Sequence, residues 1–540
     1  MLGDRAPRSL AYWLGQDPRR WKAAREASRG GPRVLIATST GGHPAVTPVE
    51  SALAVALTLR GANVHVLLCD EILPACLQAV FSPESHRRIL LGGPQADLCP
   101  SCFSEGRAVF APLGLPLHLY SQCVEPEDKA DVRALADSVK TSAIPGYRQD
   151  GLAVGEHALA GALRYFAKGT LEDEPDGEAI LRRYLEASLL TVRALGHLLD
   201  REPFSALCFH HGIYVPLGLI GEVARKRGLR VVNWNPSYRK QTFIFSHGDT
   251  YHHTLLHEPT SQWENVKWRP DLETRTLEYL RSRWEGSQDW IWFHEKPEQQ
   301  LHKIVAELGL DLGKPSVGLL SNVIWDAQLH YPANAFPNMV EWVNRTIQHF
   351  AGRPTLQLII RVHPAEVRGT VPSRQRLIDE IAKRYPQLPA NVVVVPPDSS
   401  VSTYALMEAC DSVLIYGTKT GVELTSMGIP VVVAGEAWIR NKGVTMDAAS
   451  ADDYFRLLDR LPTGRRLDAA TTQRARKYAH HFFFRRMIPL SMMKPTGGWP
   501  PYRLELTQLA DLEGGHDPGL DVVCKGILDG TEFVYEDENN

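Results

Sequence analysis

The sequence predicts an α/β protein built from two Rossmann-like domains, each a doubly wound parallel sheet. Short apolar runs recur in both halves of the chain, and each ends in glycine or polar residues. Helix-forming segments separate those runs, which is the alternation that parallel sheets require. The 540 residues are 44% hydrophobic, so two large cores can form without a disulfide or a metal.

The first series opens with the apolar run 33–38, which breaks at Gly41-Gly42 and reads as a buried strand ending in a tight turn. Residues 49–60 follow as a helix stopped by Gly61, and residues 64–69 as the next strand. Strand, glycine turn, helix and strand make a βαβ unit. The turn lacks the full Gly-x-Gly-x-x-Gly spacing, which disfavours a dinucleotide-binding dehydrogenase. A further strand at 206–209 ends at His210-His211-Gly212. A helix then runs through Glu222 to Lys226, and another strand occupies 230–234. Residues 267–300 are charged and tryptophan-rich and read as helical material. The second series has strands at 316–322, 356–362, 392–395, 412–416 and 430–434, with helices at 374–385 and 403–410 between them. The chain therefore divides into a helical extension (1–30), a first Rossmann-like domain (31–265), a helical connection (266–314), a second Rossmann-like domain (315–467) and a tail packing back on the body (468–540).

Formal charge is −3, from 59 basic and 62 acidic residues, which argues against nucleic acid as a partner. No run of ~18 or more apolar residues occurs, and residues 1–30 lack the apolar core of a secretory signal. A cytoplasmic location is expected. Residues 13–29 mix tryptophans with basic residues. Two readings stay open for them: a helix packed on the body, or peripheral association with the inner face of the plasma membrane. The eight cysteines are expected as thiols. Cys69, Cys76, Cys99 and Cys102 have the spacing C-x6-C-x22-C-x2-C. A structural zinc is the working expectation for these four, against buried free thiols or an iron–sulfur cluster.

Ligands of open α/β sheets bind at the carboxyl ends of the strands, so the polar strand ends are the candidate sites. In the second series these are Asn322 with Asp326, then Arg361-Val362-His363-Pro364, then Ser400, then Gly417-Thr418-Lys419-Thr420-Gly421, and finally Gly435-Glu436. The Gly417 loop leads into a helix with Glu423 in its first turn. Backbone N–H groups, Thr418, Thr420 and Lys419 suit a phosphate there, and Glu423 suits the two hydroxyls of a ribose. The purely structural alternative is a capped helix with Glu423 complementing its dipole. Pro364 ends the ladder and presents His363 at the sheet edge, for a phosphate or a leaving oxygen. In the first series Gly41, Gly42 and His43 follow one strand, and His210 and His211 follow another. A histidine there can deprotonate an acceptor hydroxyl, and of the adjacent pair at most one, taken as His211, can serve. Glu50 is a weaker candidate base, and Arg239 a candidate acceptor-binding group.

The run Asp398-Ser399-Ser400-Val401-Ser402-Thr403-Tyr404, the loop 416–423, Gly428-Ile429-Pro430-Val431 and Gly443-Val444-Thr445 resemble bacterial capsule polysaccharide biosynthesis proteins. That family includes transferases of 3-deoxy-octulosonic acid (Kdo) from its CMP-activated form. Arg361-Val362-His363-Pro364 is similar to their His-Pro motif, which sialyltransferases and teichoic acid polymerases share. The resemblance covers about 316–454. It implies a GT-B fold with two Rossmann-like domains across a cleft. The donor nucleotide would sit on the second domain and the acceptor on the first. It implies a metal-independent glycosyltransferase that moves a sugar from a nucleotide-sugar to a bacterial surface polysaccharide or its lipid-linked precursor. The sequence lacks the paired-acid-Gly motif of the His-Pro sialyltransferases, and Lys419 stands where a small residue is expected. A lysine there suits a diphosphate, so the donor base stays open. The alternatives carried forward are an enzyme of the UDP-GlcNAc 2-epimerase type, a polyol-phosphate transferase, and an inactive nucleotide- or carbohydrate-binding scaffold.

Overall fold

The computed structural model describes residues 8–285, 288–290, 297–311, 313–327, 329 and 331–536. Parts of the expected extension (1–7), connection (286–287, 291–296, 312) and tail (537–540) lie outside the described residues. Contacts divide the chain into two units, each an α/β body.

The first unit comprises Met1–Phe166, Thr170–Tyr251 and Arg486–Glu536. Its sheet contains β1 (Arg33–Ser39), β2 (Asn63–Leu68), β3 (Leu117–Leu119), β4 (Ala206–His210), β5 (Arg230–Pro236) and β6 (Thr242–His247), together with the strand Met487–Pro489. The order is Met487–Pro489, β6, β5, β4, β1, β2, β3. Strands β1 to β5 pair in parallel, β6 runs antiparallel to β5, and Met487–Pro489 antiparallel to β6. Every residue of β4 and all but the first of β1 are buried, which is why these strands read as continuous apolar runs. Helix Thr47–Leu59 is buried along nearly its whole length. At its end, Arg60 donates to the Leu512 carbonyl at 2.6 Å and to Asp521 at 2.5 Å, tying residues 486–536 to this unit. In the N-terminal helices Leu10, Leu14 and Trp21 are buried, and the Trp21 indole donates to the Leu113 carbonyl at 2.9 Å. Among the described residues no helix is long and apolar enough to cross a membrane.

The second unit comprises Ala167–Gly169, His252–Arg485 and Asp537–Asn540. It contains β7 (Ser316–Leu320), β8 (Gln357–Arg361), β9 (Val392–Val395), β10 (Ser412–Ile415), β11 (Val431–Val433) and β12 (Met446–Asp447), in the order β12-β11-β10-β7-β8-β9. All pairings are parallel. Taken in chain order within the unit, this is the doubly wound order in which the third, second and first strands lie beside the fourth, fifth and sixth. The first unit repeats that order through β1 to β6. Leu319, Ile360 and Leu414 of this sheet pack with Trp342, Phe350 and Tyr454 in one core. The grouping departs from the sequence-based boundaries. Helix Pro270–Glu285 and helix Ala469–His480 belong to the second unit, whereas 486–536 completes the first.

Candidate functional site

Each sheet has a topological switch point, where successive connections leave to opposite sides and a crevice opens at the carboxyl ends of the strands. In the second unit it lies between β7 and β10. Asn322 follows β7, and Gly417 to Thr420 follow β10. A Cβ placed on Gly417 would lie 3.6 Å from the Glu436 carbonyl and 3.9 Å from Asn322 Nδ2, so the three strand ends meet within van der Waals reach. Glu436 is held by its own N–H, donating to Asn334 Oδ1 at 2.9 Å, and by Oε1, which accepts from the Ala333 N–H. Its Oε2 is buried without a partner, and so is Asn322 Oδ1. A buried acceptor left unpaired is costly and calls for an explanation. Two such acceptors at one switch point suit the hydroxyls of a ribose or a sugar.

His363 follows β8. Its N–H donates to Ser321 Oγ at 2.9 Å, and its Nδ1 accepts from the Ala365 N–H at 3.1 Å. With Nδ1 occupied as an acceptor, the neutral ring carries its proton on Nε2 and presents a donor. Pro364 caps the short helix Ala365–Arg368 and so fixes that geometry.

Several residues expected at this site have other work. Arg361 is only 2% exposed. Its guanidinium bonds the Pro396 carbonyl, the Ser399 carbonyl at 3.2 Å and Thr403 Oγ1 at 3.3 Å. It staples the loop after β9 rather than reaching a phosphate. Lys419 and Glu423 are likewise corrected. Lys419 Nζ donates to Glu423 Oε1 at 2.8 Å, Arg283 Nε donates to the same oxygen at 3.0 Å, and Tyr404 donates to Oε2. Arg283 extends the cluster to Tyr279 at 2.9 Å and to Asp289. Burial pushes the Glu423 carboxyl up, but Arg283 and Lys419 outweigh it and hold it at about 2. Both charged groups are therefore satisfied inside the protein, where sequence had assigned them to phosphate and ribose. Thr418 Oγ1 accepts from the Thr420 N–H, the first of helix Thr420–Ser426, at 3.3 Å and lies 3.2 Å from Thr420 Oγ1, so these hydroxyls bond within the loop. Gly421 is glycine because a Cβ would meet Ile415 Cδ1 at 2.6 Å and Ile439 Cγ2 at 2.9 Å, which is core packing. Asp326 is exposed in the turn after β7. Ser400 is exposed in the loop after β9, its carbonyl accepting from the Glu298 N–H at 2.9 Å.

In the first unit the switch point lies between β1 and β4. His43 from the β1 loop and His210 at the end of β4 come together there, with ring centroids 5.5 Å apart. Burial, then Arg164, lowers His43 to about 4, and burial with His43 lowers His210 well below the usual histidine value. The Ala45 N–H donates to His43 Nδ1 at 3.3 Å, so the neutral ring presents Nε2–H. In that tautomer the His43 ring offers a donor at Nε2, whereas the sequence reading had it as a base. Glu50 is wholly buried. Its Oε1 accepts from the His210 N–H at 3.0 Å and from the Trp234 indole at 3.0 Å, and burial raises it to about 7 against those bonds. It braces β4 and β5 from below. His211 takes a positive φ of 66° and turns its ring toward Tyr214, with centroids 4.8 Å apart. Arg239 lies half-buried in the turn between β5 and β6, where its carbonyl accepts from Thr242.

Gly41 and Gly42, expected from sequence at an acceptor site, are small where helix Cys99–Phe110 packs on them. A Cβ on Gly41 would sit 2.6 Å from Gly106 Cα, and one on Gly42 would sit 2.7 Å from Cys102 Cα. Helix Cys99–Phe110 rests on this loop, and the Gly42 N–H donates to Cys102 Sγ at 3.2 Å. The zinc expected at the four cysteines gains no support from the structure. Among the described residues no three His, Cys, Asp or Glu side chains group as metal ligands, Cys69, Cys76, Cys99 and Cys102 included. All four are free cysteines. Burial pushes Cys69 up to about 11 and Cys76 up to about 12, and raises Cys99 and Cys102 as well, which keeps them as thiols.

Buried neutral histidines make the first unit acid-sensitive. His43 and His65 each fall from 6.5 to about 4, chiefly through burial. An unfolded chain protonates them near 6.5 while the folded protein does not. Their contribution is therefore complete above that pH and declines as pH falls from about 6.5 towards 4. Denaturant midpoints across that range should fall for the wild type and fall less for His65→Phe. Parallel curves for the two proteins would contradict the assignment.

Residues 314–480 match the family model described as capsule polysaccharide biosynthesis protein. No curated protein matches the chain. Among solved structures, the chain is similar to a β-Kdo 2,4 transferase, KpsC, of Thermosulfurimonas dismutans. Identity is 13% and the TM-score 0.36, over 51% of this chain and 80% of that one. It is also similar to the calicheamicin glycosyltransferase CalG4, at 13% identity and a TM-score of 0.25, over 83% and 94% of the two chains. A UDP-GlcNAc 2-epimerase from Neisseria meningitidis aligns at 9% identity and a TM-score of 0.24, over 82% and 94%.

Proposed function

We propose that this chain, whose second unit carries a capsule polysaccharide biosynthesis domain, is a GT-B glycosyltransferase acting in the synthesis of a bacterial surface polysaccharide. The observation that carries the reading is a coincidence of place. The matched segment contains the sheet whose switch point gathers the unpartnered Asn322 Oδ1 and Glu436 Oε2, with His363 on the neighbouring strand end. The two oxygens accept from hydroxyls of a nucleotide-sugar donor. The fixed His363 Nε2–H donates to the phosphate oxygen that gains charge as the glycosidic bond breaks. The acceptor is a polysaccharide or a lipid-linked glycan. The epimerase, polyol-phosphate transferase and scaffold alternatives have no specific observation in their favour.

A thermal-shift screen with UDP, GDP, ADP, CDP and CMP tests the donor site. A nucleotide at 100 times its Kd should stabilise the protein by about 2.7 kcal/mol, and Asn322→Ala should abolish most of that gain. No shift with any of the five would remove the nucleotide from the proposal, and an unchanged shift in Asn322→Ala would move its site elsewhere.

A further inference from the structure

We propose that Trp499 and His43 form the glycan subsite of the first unit, taking one pyranose ring of the acceptor. This rests on the transferase reading for its purpose but not for its geometry. Trp499 is 59% exposed, whereas Trp234, Trp263 and Trp342 are fully buried. Its ring centroid lies 6.1 Å from that of His43, at an interplanar angle of 58°. It therefore stands at the carboxyl-end crevice of the β1–β4 switch point.

The tryptophan is held there by a short frame. It caps the hairpin of strands Met493–Pro495 and Tyr502–Leu504. The turn is closed by the Thr496 N–H, which donates to the Pro501 carbonyl at 3.1 Å, and by the Thr496 hydroxyl, which donates to the Pro500 carbonyl. The buried Tyr502 hydroxyl donates to the Ala45 carbonyl at 2.5 Å, and the N–H of the same Ala45 donates to His43 Nδ1 at 3.3 Å. One residue thus registers the hairpin and the imidazole together. A Cβ on Gly497 or Gly498 would meet nothing within 4 Å, so the turn beside the indole is open.

A sugar ring matches what this frame offers. One face of a pyranose is a patch of C–H groups, which an indole face covers well, and its rim is hydroxyls. His43 presents Nε2–H to that rim. His210, 7% exposed, has Nδ1 buried without a partner, and Thr40, 3% exposed, has an unpaired Oγ1 in the same strand-end region. Buried polar atoms of this kind are ordinarily satisfied, and hydroxyls that both donate and accept can satisfy both.

The test uses the full chain with oligosaccharides of two to six sugars cut from the capsule of the producing organism, followed by saturation-transfer NMR and tryptophan fluorescence. Wild type should bind with quenching. Trp499→Ala should weaken binding roughly tenfold or more, and Trp499→Phe should recover most of it. Nucleotide-induced thermal shifts should be the same in all three proteins. Oligosaccharide binding that Trp499→Ala leaves unchanged overturns the proposal, as does the absence of binding by wild type at millimolar sugar. A loss in Trp499→Ala confined to binding of anionic phospholipid vesicles also overturns it, and makes Trp499 a membrane contact. A nucleotide screen that fails while oligosaccharide binding persists rejects the transferase reading and leaves this subsite standing.

Discussion

Arg283→Met should destabilise the second unit by about 3–5 kcal/mol, the usual consequence of removing one partner from a buried ion pair. Arg283 is 6% exposed at its side chain and sits between two carboxylates, Glu423 at 2% and Asp289 at 7%. Methionine fills much of the volume but leaves both acids without their shared cation. Lys419 still reaches Glu423, so Asp289 is the group left most exposed to the loss. Calorimetry of the full chain should show the transition of the second unit moving down, and adding Asp289→Asn should recover part of the loss. Arg376→Met is the control: its pair with Asp379 is 44% and 46% exposed, and its loss should cost under ~1 kcal/mol. Equal effects at the two positions would refute the buried network. The pH dependence has a definite sign. The Glu423 carboxyl falls from 4.5 to about 2 on folding, so its contribution is complete above 4.5 and is lost as pH falls towards 2.

His363→Ala should lower turnover roughly 10²–10³-fold, the range found when a single hydrogen-bond donor to developing negative charge is removed. The Ser321 hydroxyl holds the His363 backbone N–H, a bond that alanine keeps, and the Ala365 N–H orients the ring, so its removal should leave the fold intact. Binding of the intact nucleotide-sugar should change little, because the donor acts on charge that appears only as the bond breaks. Steady-state rates with nucleotide-sugar, alongside circular dichroism and the thermal-shift screen, separate these effects. Turnover within a few-fold of wild type would remove His363 from the mechanism. Lys419→Ala makes the contrast: it breaks an internal ion pair, so its main effect should be on stability.

The sheets were legible because their central strands are buried on both faces and read as unbroken apolar runs, as at 33–38 and 412–416. The edge strand β9 was legible too, but the edge strands β3 and β12 were not. β3 is three residues long with His118 at its centre, and β12 is two residues. The strand-end positions of His43, Asn322 and His363 followed from those runs. What each group does there could not follow. Lys419 and Glu423 have the same local sequence whether they face a phosphate or Arg283, 140 residues from Glu423. Gly41 and Gly42 look alike as a ligand turn and as the seat of helix Cys99–Phe110. Trp499 stood in a glycine- and proline-rich stretch whose pattern predicts no element, and only the hairpin brings it to His43. Glu436 was visible as a strand end, but its unpaired oxygen depends on Ala333 and Asn334 taking up its other groups.

The strand Met487–Pro489 seals the edge of β6, and Arg60 clasps residues that follow it. A ribosome delivers that strand only after residues 252–485 of the second unit have been made. The body begun first is therefore finished last, and β6 waits during synthesis with its outer backbone groups unpaired. A protein cut after Arg485 would keep that edge bare permanently. Dissection of the two units accordingly cannot follow the linear map of the chain, because the first needs the last fifty or so residues supplied with it.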